Sequence, residues 1–414
     1  MMRSGSSGLD NLVFVGAFLC LCANPVAAQE FRDEFQAVTP TNFDSGGEIS
    51  RKFHLNAESY LRMSTILSPT GSRNLEADLA STIASTTVVH RNGESTFAEY
   101  VAQDDLIDGV IVLLNGRIVF EAYPHMVPRQ RHFAWSVTKV VASTALAVLV
   151  EQGRVRMGDP IEQYLPTLAD SGWAGISIRD IANMASGIDC LDSDGYQDPS
   201  TCVYTMEESL GITAPTGRDP DLVQHLRSMT RHAEPGHRYE YVSANTNVLA
   251  LLIETVTGKQ FSQAVSELIW QPIGAETDAM MAISKSGFSY GSGGLHARLR
   301  DIARFGQVYT APELAGVITP DTVRKIQGCG VAFPEEKTAE HREELGDDLP
   351  LCAGWQWEMI WADGAMYKSG YSGQGLYVYP ARDLVIAWFG TGLDYDEVHN
   401  EMLPVSRQIA RSLR

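Results

Sequence analysis

Ser136 and Lys139 stand three residues apart, directly before the apolar run Val140 to Val150. In a helix that spacing puts a hydroxyl and an amine on one face, a single turn from each other. Val140, Val141, Ala142, Ala145, Leu146, Ala147, Leu149 and Val150 leave no broad polar face, so the run predicts a helix buried all round and ended near Gly153. An amine at the N-terminal end of such a helix meets the positive end of the dipole and little water. Both effects favour its neutral form, which can take the proton from Ser136 and leave a nucleophilic oxygen.

Such a pair needs a rigid frame. Asp108 to Tyr123 contains two β-branched runs joined by Asn115-Gly116, a strong hairpin signal. Strand patterns return at Gly354 to Trp361, Gly375 to Tyr379 and Leu384 to Phe389, and Glu397 to Leu413 reads as a closing helix. Between these ends the chain is mostly helical: Ser177 to Gly187 carries a Ser start and a Gly stop, Asn245 to Gly258 has helical spacing, and Phe261 to Ile269 follows as another amphipathic helix. The glycine-dense turn Tyr290 to Leu295, leading into a helix over Ala297 to Tyr309, lacks the ending of a phosphate loop and suits a close backbone approach to a cleft. The fold expected is α+β or α/β, with an antiparallel sheet built from both chain ends, flanking helices and a mostly helical insertion over 141–330. Residues 29–100 read as an irregular N-terminal arm, 101–414 as the main domain, and the charged stretch Gly330 to Pro350 as a solvated loop or a flap.

Two further stretches share this frame with Ser136 and Lys139. Pro235-Gly-His-Arg-Tyr-Glu-Tyr-Val-Ser243 lies at a loop-to-helix junction, and Lys368-Ser-Gly370 lies just before the last strand pair. In order and context the three motifs resemble those of the serine β-lactamase and penicillin-binding-protein superfamily, over roughly Asp108 to Ala410. Collinear support comes from Asp159-Pro160 with Tyr164-Leu-Pro166, Met184-Ala-Ser-Gly187, Gly293-Gly-Leu295 with Asp301-Ile-Ala-Arg-Phe305, and Gly373-Gln374.

The resemblance implies roles. Ser136 attacks a carbonyl, Lys139 holds its proton, and the phenol of Tyr241 relays that proton to the leaving group and later activates water. The oxyanion takes the backbone N–H of Ser136 and one from the strand edge after Lys368, assigned to Tyr371. Lys368 adds positive potential for a substrate carboxylate or a tyrosinate, with Ser369, Gly370 and Ser243 beside it. Ser243 departs from the usual Tyr-x-Asn and looks more like the esterase and 6-aminohexanoate-dimer-hydrolase branch. Ser369 replaces the common Thr, and no Glu-x-x-x-Asn deacylation element is present.

Composition narrows the setting. The chain has 414 residues, 44 % hydrophobic and 20 % charged, with a formal net charge of −19. That balance argues against nucleic acid and anionic lipid as partners. Leu12 to Ala28 reads as a secretory signal cut after Ala28, with a membrane anchor as the alternative; the run is short for a span. Four cysteines follow it, and the sequence-local pairing Cys190 with Cys202 and Cys329 with Cys352 is the simplest of three arrangements in a periplasmic or secreted protein. Zinc is the competing use of these cysteines, but metal-ligand spacing is missing, and neither metal nor cofactor is expected.

These features predict an exported hydrolase that forms an acyl-Ser136 intermediate on a short linear peptide, an amino-acid amide or oligomer, or a small ester. A β-lactamase or D,D-peptidase is the alternative. A non-catalytic binding or sensor domain is a third reading, and its sign would be a broken motif.

Overall fold

The computed structural model describes residues 32–33, 35–79, 82–392 and 401–413, so the expected signal segment 1–28 lies outside them. The chain divides into two units, Met1–Val38 and Thr39–Arg414. In the first, the Ala37 N–H donates to the Asp33 carbonyl at 3.0 Å, closing a helical turn.

Among the described residues the second unit carries fourteen strands: β1 Met63–Ile66, β2 Thr87–His90, β3 Gly93–Thr96, β4 Ile107–Leu114, β5 Arg117–Ala122, β6 Arg131–Phe133, β7 Ala279–Ala282, β8 Leu295–Arg298, β9 Val331–Ala332, β10 Cys352–Gly354, β11 Trp357–Ile360, β12 Met366–Gly370, β13 Gln374–Tyr379 and β14 Leu384–Gly390. The main antiparallel sheet has the order β5-β4-β14-β13-β12-β11-β10-β9. Its hairpin turns at Asn115 and Gly116, with φ of 50° and 74°, the left-handed pair that a type I′ turn requires. β14 pairs with β4, Trp388 opposite Val110, so the first and last strands of this sheet lie side by side in its interior.

Both faces of the central strands are covered, which explains their unbroken apolar runs. On one side Val110, Val112, Tyr377 and Trp388 join Met402, Leu403, Val405 and Ile409 of the closing helix Met402–Ser412. On the other lies the helix Leu299–Thr310, where Gly306 approaches so closely that a Cβ would meet Val385 at 2.5 Å. The helical insertion also carries β7 and β8, which form a small sheet with β1 and β6 in the order β1-β7-β8-β6.

Three local expectations are corrected. The arm is not irregular from Thr39 onward: it contains the helix Gly47–Leu55, strands β1 to β3 and the helix Phe97–Gln103. The last starts on a capping box in which the Glu99 N–H donates to Thr96 Oγ1 and the Thr96 N–H to Glu99 Oε2. Gly47–Leu55 is too short to persist alone, and burial of Phe53 and His54 holds it instead, a tertiary cause that periodicity does not reveal. The charged stretch after Gly330 is the helix Glu335–Leu345 rather than a loop; Glu335 and Glu336 lie in its first turn and Arg342 in its last, complementing the dipole, and Lys337 pairs with Glu340 at 2.6 Å. Finally, the third motif occupies a strand of its own, β12, and does not merely precede the last pair.

Candidate active site

Ser136 sits in a single tight turn, Trp135–Val137, immediately before the helix Thr138–Glu151, which is buried from Thr138 through Leu149. Two hydrogen bonds pin this turn to the glycine-dense segment. The Ala134 N–H donates to the Leu295 carbonyl at 2.8 Å, and the Leu295 N–H donates to Thr138 Oγ1 at 3.0 Å. The side chain of Lys139, 1 % exposed, donates from Nζ to Ser136 Oγ and to the Ser292 carbonyl, both at 2.8 Å. The glycines around Ser292 therefore do bring backbone to the cleft. Burial pushes the Lys139 amine down to about 7, helped by the nearby charge of Lys368 and opposed by Asp192.

Tyr241 stands between two lysines. Lys139 Nζ lies 5.0 Å from its ring centroid and Lys368 Nζ 4.9 Å, and its phenol hydrogen-bonds Ser136. Burial, with the carboxylates of Glu358 and Asp192, raises the phenol well above its ordinary value, so Tyr241 is neutral at rest. Ser136, Lys139, Tyr241 and Lys368 are thus brought together from a helix start, a second helix start and a strand.

Lys368 departs from its expected part. Its Nζ is fully buried and donates to Glu358 Oε2 at 2.7 Å, and the Ser369 hydroxyl donates to the same oxygen. Burial alone would raise Glu358, but the adjacent Lys368 outweighs it and holds the carboxyl down to about 2. The positive potential expected of this motif is therefore neutralised from within β11. Gly370 explains why the motif ends in glycine: a Cβ there would lie 2.6 Å from the Ala134 carbonyl, in the turn that carries Ser136. Tyr371 follows, with its ring edge-on to Trp135 at 5.4 Å.

Ser243 begins the helix Ser243–Thr257, but its hydroxyl donates to Asp192 Oδ1 at 2.5 Å and its N–H to Asp192 Oδ2 at 2.7 Å. Asp192 lies in the loop closed by the expected bridge Cys190–Cys202, and from Cys202 the chain runs on as a helix, Cys202–Leu210. Cys329–Cys352 forms the second bridge. Cys190, Cys202 and His225 lie close together, but with both sulfurs bonded to each other no thiolate is left for a metal.

Ser136, Tyr241, Ser243, Ser369 and Tyr371 open on a cavity of about 210 Å³. Its wall also includes Phe43 and Asp44 from the arm, Asp192, Tyr196 and Glu207 from the segment around the Cys190–Cys202 bridge, and Tyr290; of these, the two arm residues were not singled out in the sequence. Burial raises Asp44 and pushes Glu207 up to about 8, where Tyr290 donates to its carboxylate at 2.5 Å. No spacing links these acids to Ser136 in the sequence. Among the described residues no helix is long and apolar enough to cross a membrane.

Comparison with known proteins gives the same frame. The β-lactamase family profile matches residues 94–411. The chain is 28 % identical over 303 residues to 6-aminohexanoate-dimer hydrolase of Paenarthrobacter ureafaciens, covering 72 % of this chain and 76 % of that one. It is 30 % identical over 147 residues to esterase EstB of Burkholderia gladioli, covering 34 % of this chain and about a third, 36 %, of the esterase. Among solved structures, a provisionally named 6-aminohexanoate-dimer hydrolase from Bacillus anthracis superposes with a TM-score of 0.74 at 21 % identity, covering 91 % of this chain and 96 % of that one.

Proposed function

This chain belongs to the β-lactamase family, and we propose that it is an exported serine hydrolase that cleaves an amide, peptide or ester bond of a small non-lactam substrate through an acyl-Ser136 intermediate. The observation that carries this reading is the buried Lys139 amine 2.8 Å from Ser136 Oγ, with its pKa pushed down to about 7. Near neutral pH a large fraction of that amine is free to accept the serine proton.

In this mechanism Ser136 Oγ attacks the substrate carbonyl and gives its proton to Lys139. The backbone N–H groups of Ser136 and Tyr371 hold the oxyanion. The bond to the leaving amine or alcohol then breaks, and that group takes the proton through Tyr241. Water, activated in turn by Tyr241, attacks the ester, releases the acid and returns the proton to Ser136.

Charge supports the substrate class. Lys368 is compensated by Glu358, and Asp44, Asp192 and Glu207 face the cavity, so a carboxylate finds no uncompensated cation there. β-Lactams carry such a carboxylate, and so does the free C-terminus of a linear peptide, whereas neutral amides and esters do not, so within the proposed class the charge favours a neutral amide or ester. The two disulfides support export to an oxidising compartment, periplasmic or secreted. A small molecule or short peptide suits the cavity as partner; nucleic acid does not suit the net charge.

Mass-spectrometric monitoring of a pooled mixture of linear peptides, amino-acid amides, short esters and β-lactams, with wild type and Ser136→Ala, tests this. Loss of a peptide, amide or ester with wild type only is expected, with the variant melting within a few degrees of wild type. Loss of β-lactams alone, or activity that survives the substitution, would overturn the reading.

A further inference from the structure

The family profile begins at residue 94, yet the segment before it reaches the nucleophile. The helix Gly47–Leu55 delivers His54, fully buried, against Trp135, the residue that precedes Ser136. Trp135 Nε1 donates to His54 Nε2 at 2.9 Å. An indole N–H only donates, so His54 Nε2 is the acceptor and the ring's hydrogen sits on Nδ1. That nitrogen faces Thr391 Oγ1 at 3.2 Å, and the Thr391 hydroxyl donates onward to Asp108 Oδ2 at 2.6 Å. Asp108 also accepts from Arg51 Nε at 2.6 Å and faces His132 Nε2 at 3.0 Å. Every donor and acceptor in this chain is therefore used, and its direction is fixed from the arm to the indole.

The indole matters because of the backbone beneath it. Trp135 has φ of 46°, a left-handed conformation that costs a bulky residue of order 1–3 kcal/mol and persists only where its surroundings over-determine it. The arm supplies part of those surroundings, beside Phe133 and Tyr371, whose rings lie 4.8 Å and 5.4 Å from that of Trp135. Phe43 and Phe53 pack on the Trp135 ring at 6.1 Å each, and His54 supplies the one polar contact of its N–H. A relaxed Trp135 would rotate the following peptide, and with it both the Ser136 hydroxyl facing Lys139 and the Ser136 N–H.

We propose that His54 is a positioning residue for Ser136: its hydrogen bond to the Trp135 indole holds the turn in the conformation that aims the nucleophile, making the N-terminal arm a working part of the active site. This rests on Ser136 being the nucleophile and adds a residue that touches no substrate.

The test is the rate of phosphonylation by a fluorophosphonate, which forms a serine Oγ–phosphorus bond, expels fluoride and is followed by intact mass. His54→Ala should lower the limiting rate by about 30-fold, within what a small misplacement of reacting groups costs, while the half-saturating concentration changes less than about threefold. Trp135→Phe, which removes the N–H and keeps the packing, should lose a similar factor. The double variant should lose no more than either single, because both break one hydrogen bond. His54→Gln, which restores an acceptor, should recover most of the rate. If His54→Ala does not fold, Trp135→Phe and His54→Gln decide alone. Wild-type limiting rates in Trp135→Phe, or losses that multiply in the double variant, overturn the inference. Labelling that persists in Ser136→Ala overturns the nucleophile assignment and this inference with it, an outcome distinct from labelling lost there and unchanged in His54→Ala.

Discussion

Lys368 Nζ and Glu358 Oε2 lie 2.7 Å apart, on adjacent strands at the edge of the active-site cavity, with the lysine fully buried and the glutamate side chain 15 % exposed. A lysine that would draw anionic substrates is thereby turned into half of an internal ion pair. The pair also sets the field felt by Tyr241, whose ring lies under the same ammonium.

Glu358→Gln should destabilise the protein by about 3 kcal/mol, because it strands a buried ammonium. The pH dependence carries the same sign. Glu358 is held down to about 2 from its ordinary 4.5, so its contribution is complete above about pH 4.5 and is lost as pH falls through 2. In the variant that acid-linked loss should be smaller. In the folded variant, an ester bearing a free carboxylate should gain on its neutral analogue by about tenfold in kcat/KM, since the lysine charge is no longer compensated. Thermal melts across pH and paired substrate kinetics check both; an unchanged preference would show that Lys368 does not face substrate.

How far the sequence carried this site depends on the range of each signal. Ser136, Lys139, Tyr241 and Lys368 were picked out together because they sit in three short collinear motifs that resemble a known superfamily's, and the structure brings the four side chains together. The hairpin at Asn115-Gly116 and the two sequence-local disulfides were legible because each joins residues close in sequence. Glu358 was not, because in Trp357-Glu-Met-Ile360 an acid at an alternate strand position reads as solvent-facing, and only the pairing of β11 with β12 turns it toward Lys368. His54 and Asp44 lie far before the first motif and reach the site by tertiary packing alone. The helix Glu335–Leu345 was missed because it lacks an apolar stripe; only His341 is buried, edge-on to Phe333 at 4.6 Å.

Activity should rise with pH through about 7. Below that value Lys139 is protonated and cannot accept the Ser136 proton; above it the free amine dominates. With a neutral ester as substrate, kcat/KM should fall tenfold per pH unit on the acid side and bend to a shallower slope above about pH 7. A further inflection near 8 belongs to Glu207, and Glu207→Gln should remove it while leaving the lower one. Profiles of wild type and Glu207→Gln from pH 5 to 9 decide the matter, and a wild-type profile flat between 6 and 8 would remove Lys139 as the base.

Gly370→Ala isolates the contact between the third motif and the nucleophile turn. Gly370 has φ of −132°, which any residue adopts, so backbone strain plays no part and the cost is steric. The new methyl would lie 2.6 Å from the Ala134 carbonyl, and relief requires β12 and the Ser136 turn to separate by a few tenths of an ångström or more. The limiting rate of fluorophosphonate labelling should therefore fall by about 100-fold, with a stability loss of about 1–3 kcal/mol from overpacking. Gly375→Ala is the matching control: its methyl would strike the Trp388 ring at 2.1 Å, within the core that the sheet shares with the closing helix. It should cost at least as much stability while its folded fraction labels at the wild-type rate. Equal labelling in both variants would mean that β12 supports the sheet but does not position Ser136.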